Sequence, residues 1–183
     1  RIAECFNMTV RDAYELPKRR ANLVMYRDFD EKESIYDKEW TPESIVEWAQ
    51  VLSQKTIGRA EADTIKNFFK GSGVMVQLFV NETYVGPEWM AFQDYLWEQV
   101  AEPLIENKVY KRNTFSIVVS DGVKYAHWMK NAGLKSVDLP AFFLIDFSSG
   151  LKYGSRITPT METLDHDLYQ FLDEFTLGLL PPL

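Results

Sequence analysis

Two separated runs of the chain share one order of apolar and polar positions. Residues 23–52, LVMYRDFDEKESIYDKEWTPESIVEWAQVL, read as an apolar strand, Asp-Phe, a polar turn, a second strand carrying Tyr36, then Thr41-Pro42 and a helix. Residues 142–172, FFLIDFSSGLKYGSRITPTMETLDHDLYQFL, repeat that order with Asp146-Phe147, Tyr153 and Thr158-Pro159. Phe29 and Phe147 lie 118 positions apart, and the Tyr and Thr-Pro pairs 117, so one single-residue insertion reconciles the copies. Each threonine suits a helix N-cap and each proline the first helical position. Ile45, Trp48, Ala49 and Leu52 then recur at helical spacing, as do Met161, Leu164, Leu168, Phe171 and Phe175. Both runs therefore predict a β-hairpin followed by an amphipathic helix.

A spacing near 117 leaves room for a whole unit before the second hairpin and for only part of one before the first. From about Gln54 the pattern predicts a helix over 61–70, with Ile65, Phe68 and Phe69 on one face and GSG closing it. A strand VMVQLFV follows, then a long helix over 89–107, bent or broken near Pro103. A strand TFSIVV, a helix VKYAHWMKNAGL and the hairpin opened by Pro140 complete the order before the last helix. Alternating strands and helices ending in two adjacent strands predict an α/β sandwich with a mixed sheet. Half a sheet cannot bury itself, so the chain reads as a piece of a longer protein. It divides into 1–53, the C-terminal half of a domain; 54–178, a complete domain; and 179–183, the start of a linker.

Composition narrows the function. The 183 residues carry 27 Asp and Glu against 20 Lys and Arg, a net charge of −7, which disfavours nucleic acid as a partner. No run of about 20 apolar residues exists to span a membrane. With Cys5 the single cysteine, the chain has neither an internal disulfide nor a Cys-x-x-C pair. His127 and His166 stand far apart, so no metal site and no cofactor is expected. The acidic run RDFDEKESIYDKEW lacks a tight calcium loop and reads as a solvated hairpin tip. Asn7 and Asn81 each open an Asn-x-Thr triplet, making them candidate glycosylation sites.

The strand order with proline opening the fourth strand, VDLPAFFLIDF, resembles the thioredoxin fold. More narrowly, the chain is similar to the paired non-catalytic b and b′ domains of protein disulfide isomerases. LVMYRDFDEKESIYDKEWTPESIVEWA resembles the end of a b domain, and 133–183 the close of a b′ domain with Gly178 and Pro182 in its tail. The resemblance spans essentially the whole chain, strongly at 138–153 and 171–183 and weakly in the middle. It implies a thioredoxin-like three-layer sandwich, and it makes Pro140 a structural cis-proline candidate. Asn22 stands near the equivalent position of the first copy, a departure that suits a spacer role there. Where catalytic relatives carry Cys-x-x-C, this chain reads NETYVGPEWMAFQDYL.

The resemblance also implies a role and a location. Such b′ domains bind unfolded or partly folded polypeptides in an apolar groove between their first and third helices. The matching residues are Ile65, Phe68 and Phe69 on one side and Trp128, Met129 and Leu134 on the other. The expected function is therefore capture of non-native clients in the endoplasmic reticulum lumen, for thiol–disulfide exchange by adjacent catalytic thioredoxin domains outside this chain. The alternatives from other classes are a redox-inactive thioredoxin-like chaperone or adaptor and, more remotely, a lumenal low-affinity calcium-binding protein.

Overall fold

The structure, a computed structural model, describes residues 12–13, 22–60, 73–134, 139–155, 157 and 159–183. The chain separates into two compact units, residues 1–54 and 55–183.

In the first unit, strands β1 (Val24–Tyr26) and β2 (Glu33–Ile35) pair antiparallel, with Met25 opposite Ser34. Helix α1 (Pro42–Leu52) follows, with Pro42 in its first turn and the Thr41 hydroxyl accepting from the Ser44 backbone N–H at 3.2 Å. Tyr36, Trp48 and Leu52 form the centre of the small core between hairpin and helix. At the hairpin tip Asp28, Lys32 and Glu33 are exposed, as a solvated turn requires, whereas two charged residues turn inward. Asp30 is buried in a left-handed conformation (φ 51°), and the Arg27 side chain is buried. The Arg27 guanidinium donates to Leu52 O at 3.1 Å and to Ser34 Oγ at 2.7 Å, and meets Glu31 at 3.1 Å. That cation lies against the carbonyl end of α1, where the helix dipole favours it.

The second unit is built on a five-stranded sheet in the order β3-β5-β4-β6-β7. Its strands are β3 (Ile57–Arg59), β4 (Val74–Val80), β5 (Phe115–Asp121), β6 (Ala141–Asp146) and β7 (Leu151–Gly154). Strands β3 and β4 run parallel to β5, while β4–β6 and β6–β7 are antiparallel. Strand β3 was not placed by its sequence: three residues of TIGRA are too short for a periodicity. All seven residues of β4 are buried, as a central strand covered on both faces requires.

Helical residues 82–106 follow β4, beginning seven residues earlier than the apolar pattern predicts because Asn81 caps them, its side chain accepting from the Thr83 N–H. They run as α2 (Glu82–Val85), a 3-10 turn, α3 (Trp89–Leu96), a π-helical stretch over 97–101 and α4 (Glu102–Glu106). The expected break near Pro103 takes the form of that π stretch. The Glu102 N–H reaches back five residues to Trp97 O, one residue before a proline that has no N–H to give and whose ring crowds the preceding turn.

Helix α5 (Ala126–Asn131) connects β5 to β6, and α6 (Leu164–Thr176) follows β7. Helix α6 corrects the sequence reading, which starts it at Pro159. Pro159 is buried outside any helix and Met161 is exposed in the turn before it. Local bonds claim that turn: the Thr160 N–H donates to Thr163 Oγ1 at 3.2 Å, and Thr163 Oγ1 donates to Asp167 at 2.6 Å. The helix ends at Gly178, whose φ of 70° supplies the left-handed stop. Beyond it Leu180 is buried, and the Leu183 N–H donates to Lys152 O at 2.8 Å, so the tail returns along the exposed side of β7.

The two sheet faces differ. One carries Val76, Leu78, Ile117, Val119, Phe142 and Leu144, packed with Leu96, Val100, Leu104, Leu168 and Leu172 in the principal core. The Tyr110 hydroxyl donates to Leu172 O at 3.0 Å and accepts from Thr176 Oγ1 at 2.9 Å, tying the loop before β5 to α6. The other face carries Met75, Phe79, Val118, Ala141 and Phe143, packed with residues of α5.

Candidate functional site

The sequence places a groove between the helices over 61–70 and 123–134, and of these the structure describes the second, α5, packed on the second face of the sheet. After β5 the chain turns through Gly122, whose N–H donates to Val80 O at 2.9 Å. A Cβ at Gly122 would stand 2.4 Å from the Leu139 side chain, so glycine lets that residue close over the turn. The Asp121 carboxylate accepts from the Val123 and Lys124 N–H groups at 2.9 and 3.2 Å, fixing the entry to α5. Helix α5 is shorter than the twelve-residue pattern predicts because 122–125 are spent on this turn.

What the turn and helix present is an aromatic ledge. The Tyr125 ring stacks on Trp128 with centroids 4.4 Å apart and 18° between planes. His127 meets Trp128 edge-on at 5.7 Å and is itself exposed. Lys124 Nζ lies 5.2 Å from the centre of the Tyr125 ring. Tyr125 and Trp128 are both half-buried: each contacts the core on one side and keeps surface open.

The six residues nominated for client contact fare differently. Trp128 is half-buried and touches both apolar clusters of this face, so it belongs to the ledge. Leu134 is partly buried against the same core. Met129 is fully buried in the cluster that holds Phe79 and Phe143, and offers no surface. Ile65, Phe68 and Phe69 lie outside the described residues. Sequence reading passed over Tyr125 and Lys124, although KYAHW carries the signal: aromatics three apart stack on one helical face.

The Leu139–Pro140 peptide is cis and Pro140 is buried at the start of β6. Asn81 serves as a helix cap, its Oδ1 accepting at 3.0 Å; Asn7 and Cys5 lie outside the described residues. On this face Gln77 donates to Ser120 in a buried pair between β4 and β5. His166, exposed on α6, lies 3.4 Å from its neighbour Asp167. Among the described residues no three His, Cys, Asp or Glu side chains come together as a metal would require. None of the described helices is long and apolar enough to cross a membrane.

An accessible aromatic surface on the sheet can hold apolar segments. Comparison with known proteins bears on the fold. Residues 1–174 match the family model of the thioredoxin-like domain. Protein disulfide-isomerase of Aspergillus niger is 26% identical over 132 residues, covering 72% of this chain and 24% of that protein. The protein disulfide-isomerase of Aspergillus oryzae is 24% identical over 135 residues, again covering 24% of its length. The chain thus spans about a quarter of the curated relatives it matches.

Among solved structures, the bb fragment of ERp72 superposes with a TM-score of 0.57 at 17% identity, over 97% of this chain and 76% of that one. The zinc-bound form of human ERp44 gives 0.54 at 14% identity, over 87% and 42%. At these identities the two structures speak for the fold. With the mixed sheet and the flanking helices, the match places the chain: it belongs to the thioredoxin-like domain family.

Proposed function

We propose that residues 55–183 are the client-binding domain of a protein disulfide isomerase of the endoplasmic reticulum lumen. In this reading residues 1–54 are the closing half of a preceding spacer domain. The domain captures unfolded or partly folded polypeptides and presents them to catalytic thioredoxin domains elsewhere in the protein. The observation that carries the reading is the Tyr125–Trp128 stack, accessible on one side and seated on a core that includes Met129 on the other.

Non-native chains offer no fixed hydrogen-bond pattern, so a surface that reads them gains by apolar contact. Aromatic rings suit this role, since they carry large contact area on few rotatable bonds. Burial contributes roughly 25 cal/mol per Å² and is offset by the cost of ordering the client. The expected affinity is weak and reversible, as repeated capture and release demands.

Suppression of aggregation tests the reading. A reduced, alkylated client diluted from denaturant should scatter less light in the presence of the chain, and Trp128→Ala should lose that protection while remaining folded by circular dichroism. Full protection by a folded Trp128→Ala, together with a folded Tyr125→Ala, would remove the ledge from the function.

A further inference from the structure

The ledge stands in a stretch whose charge opposes that of the chain. The protein carries −7 overall, yet residues 122–137 contain no carboxylate and hold Lys124, Lys130 and Lys135. Lys124 sits over the outer ring of the ledge, and Lys130 is exposed on α5. Asp121, the carboxylate that precedes α5, is engaged by the backbone N–H groups of its own turn.

We propose that this surface selects apolar client segments flanked by acidic residues, an inference that rests on the client-binding reading above. When an apolar segment covers the ledge it removes water from beside these lysines, which strengthens their interaction with whatever charge lies next to the segment. Acidic flanks gain from that and basic flanks lose. Screening confines the contest to nearby groups, because the Debye length is about 8 Å at physiological salt. The local and global charges therefore predict opposite preferences: a chain acting through its net −7 would favour basic clients.

Three fluorescent, cysteine-free peptides decide it, sharing one apolar and aromatic centre and differing only in Glu, Ser or Lys flanks. Anisotropy titration of the whole chain should give the Glu-flanked peptide a Kd about fivefold or more below that of the Lys-flanked one. The gap should close at about 500 mM salt and invert in the double variant Lys124→Glu/Lys130→Glu. Both lysines are exposed, so the variant should fold. Equal affinities for the Glu and Lys peptides would overturn the preference and leave client binding standing. A preference that survives the double variant would overturn its assignment to these lysines. Failure of all three peptides to bind would overturn this inference and the client-binding reading together.

Discussion

The rings of Tyr125 and Trp128 stack at 4.4 Å and 18°, three residues apart, across the start of α5. The pair stiffens a helix of only six residues that has no side-chain cap of its own. Offset stacking contributes about 0.5–1.5 kcal/mol beyond the area it buries. Tyr125→Ala should therefore lower unfolding free energy by roughly that amount in urea titrations. It should also raise quencher access to tryptophan fluorescence as Trp128 opens. An unchanged stability and quenching profile would show that the stack does not order this helix.

Neighbouring residues on α5 should respond in opposite ways. Met129 is fully buried and Lys130 exposed, so Met129→Ala should cost about 2–5 kcal/mol and Lys130→Ala less than about 0.5. Chemical denaturation of both variants checks this. Comparable losses would mean that Met129 is not the floor of the ledge.

Arg27 should govern the first unit. Its guanidinium bonds Leu52 O and Ser34 Oγ from a buried position, joining the hairpin to the end of α1. Charge-assisted bonds of this kind contribute about 1.5–3 kcal/mol, and their loss leaves buried acceptors unmatched. Arg27→Met should speed proteolytic cleavage within residues 24–52 and leave cleavage of the second unit unaltered. Equal protection of both units in variant and parent would refute the role.

Alkaline pH should weaken the second unit. Burial, with the nearby charge of Asp173, pushes Tyr110 up to about 12 even though its bond with Thr176 pulls the other way. Burial and the Asp165 carboxylate push Tyr95 likewise to about 12. Both folded values exceed the ordinary 10, so each tyrosine contributes stability that is complete below pH 10 and lost as pH rises toward 12. Melting temperature should fall across that window, and the phenolate absorbance of Tyr110→Phe should lack one late titration. A Tm flat from pH 9 to about 12 would contradict the account.

Much of this was legible in the chain because repetition doubled the signal. The Asp-Phe, Tyr and Thr-Pro marks located both hairpins, and Pro140 marked the start of β6. What failed to read did so for local reasons. Thr41 caps its helix as predicted, but at the second copy side-chain bonds among Thr160, Thr163 and Asp167 hold a turn and delay α6 to Leu164. Strand β3 is too short to show a period. Asp30 and Arg27 looked solvated because sequence cannot reveal that charges fold inward onto a helix end. On the ledge, Met129 is buried and Tyr125 half-buried because α5 begins later than its pattern suggests.

The most direct measurement is an NMR titration of the whole chain with an unstructured, cysteine-free peptide, repeated on Trp128→Ala and on Phe68→Ala. Capture on the ledge predicts saturable shifts concentrated in residues 121–134 and in residues 61–70, lost in Trp128→Ala while its remaining spectrum stays dispersed. Shifts spread evenly over the chain, or none at about millimolar peptide where even weak capture would register, would contradict client binding here and leave a spacer or adaptor as the better account.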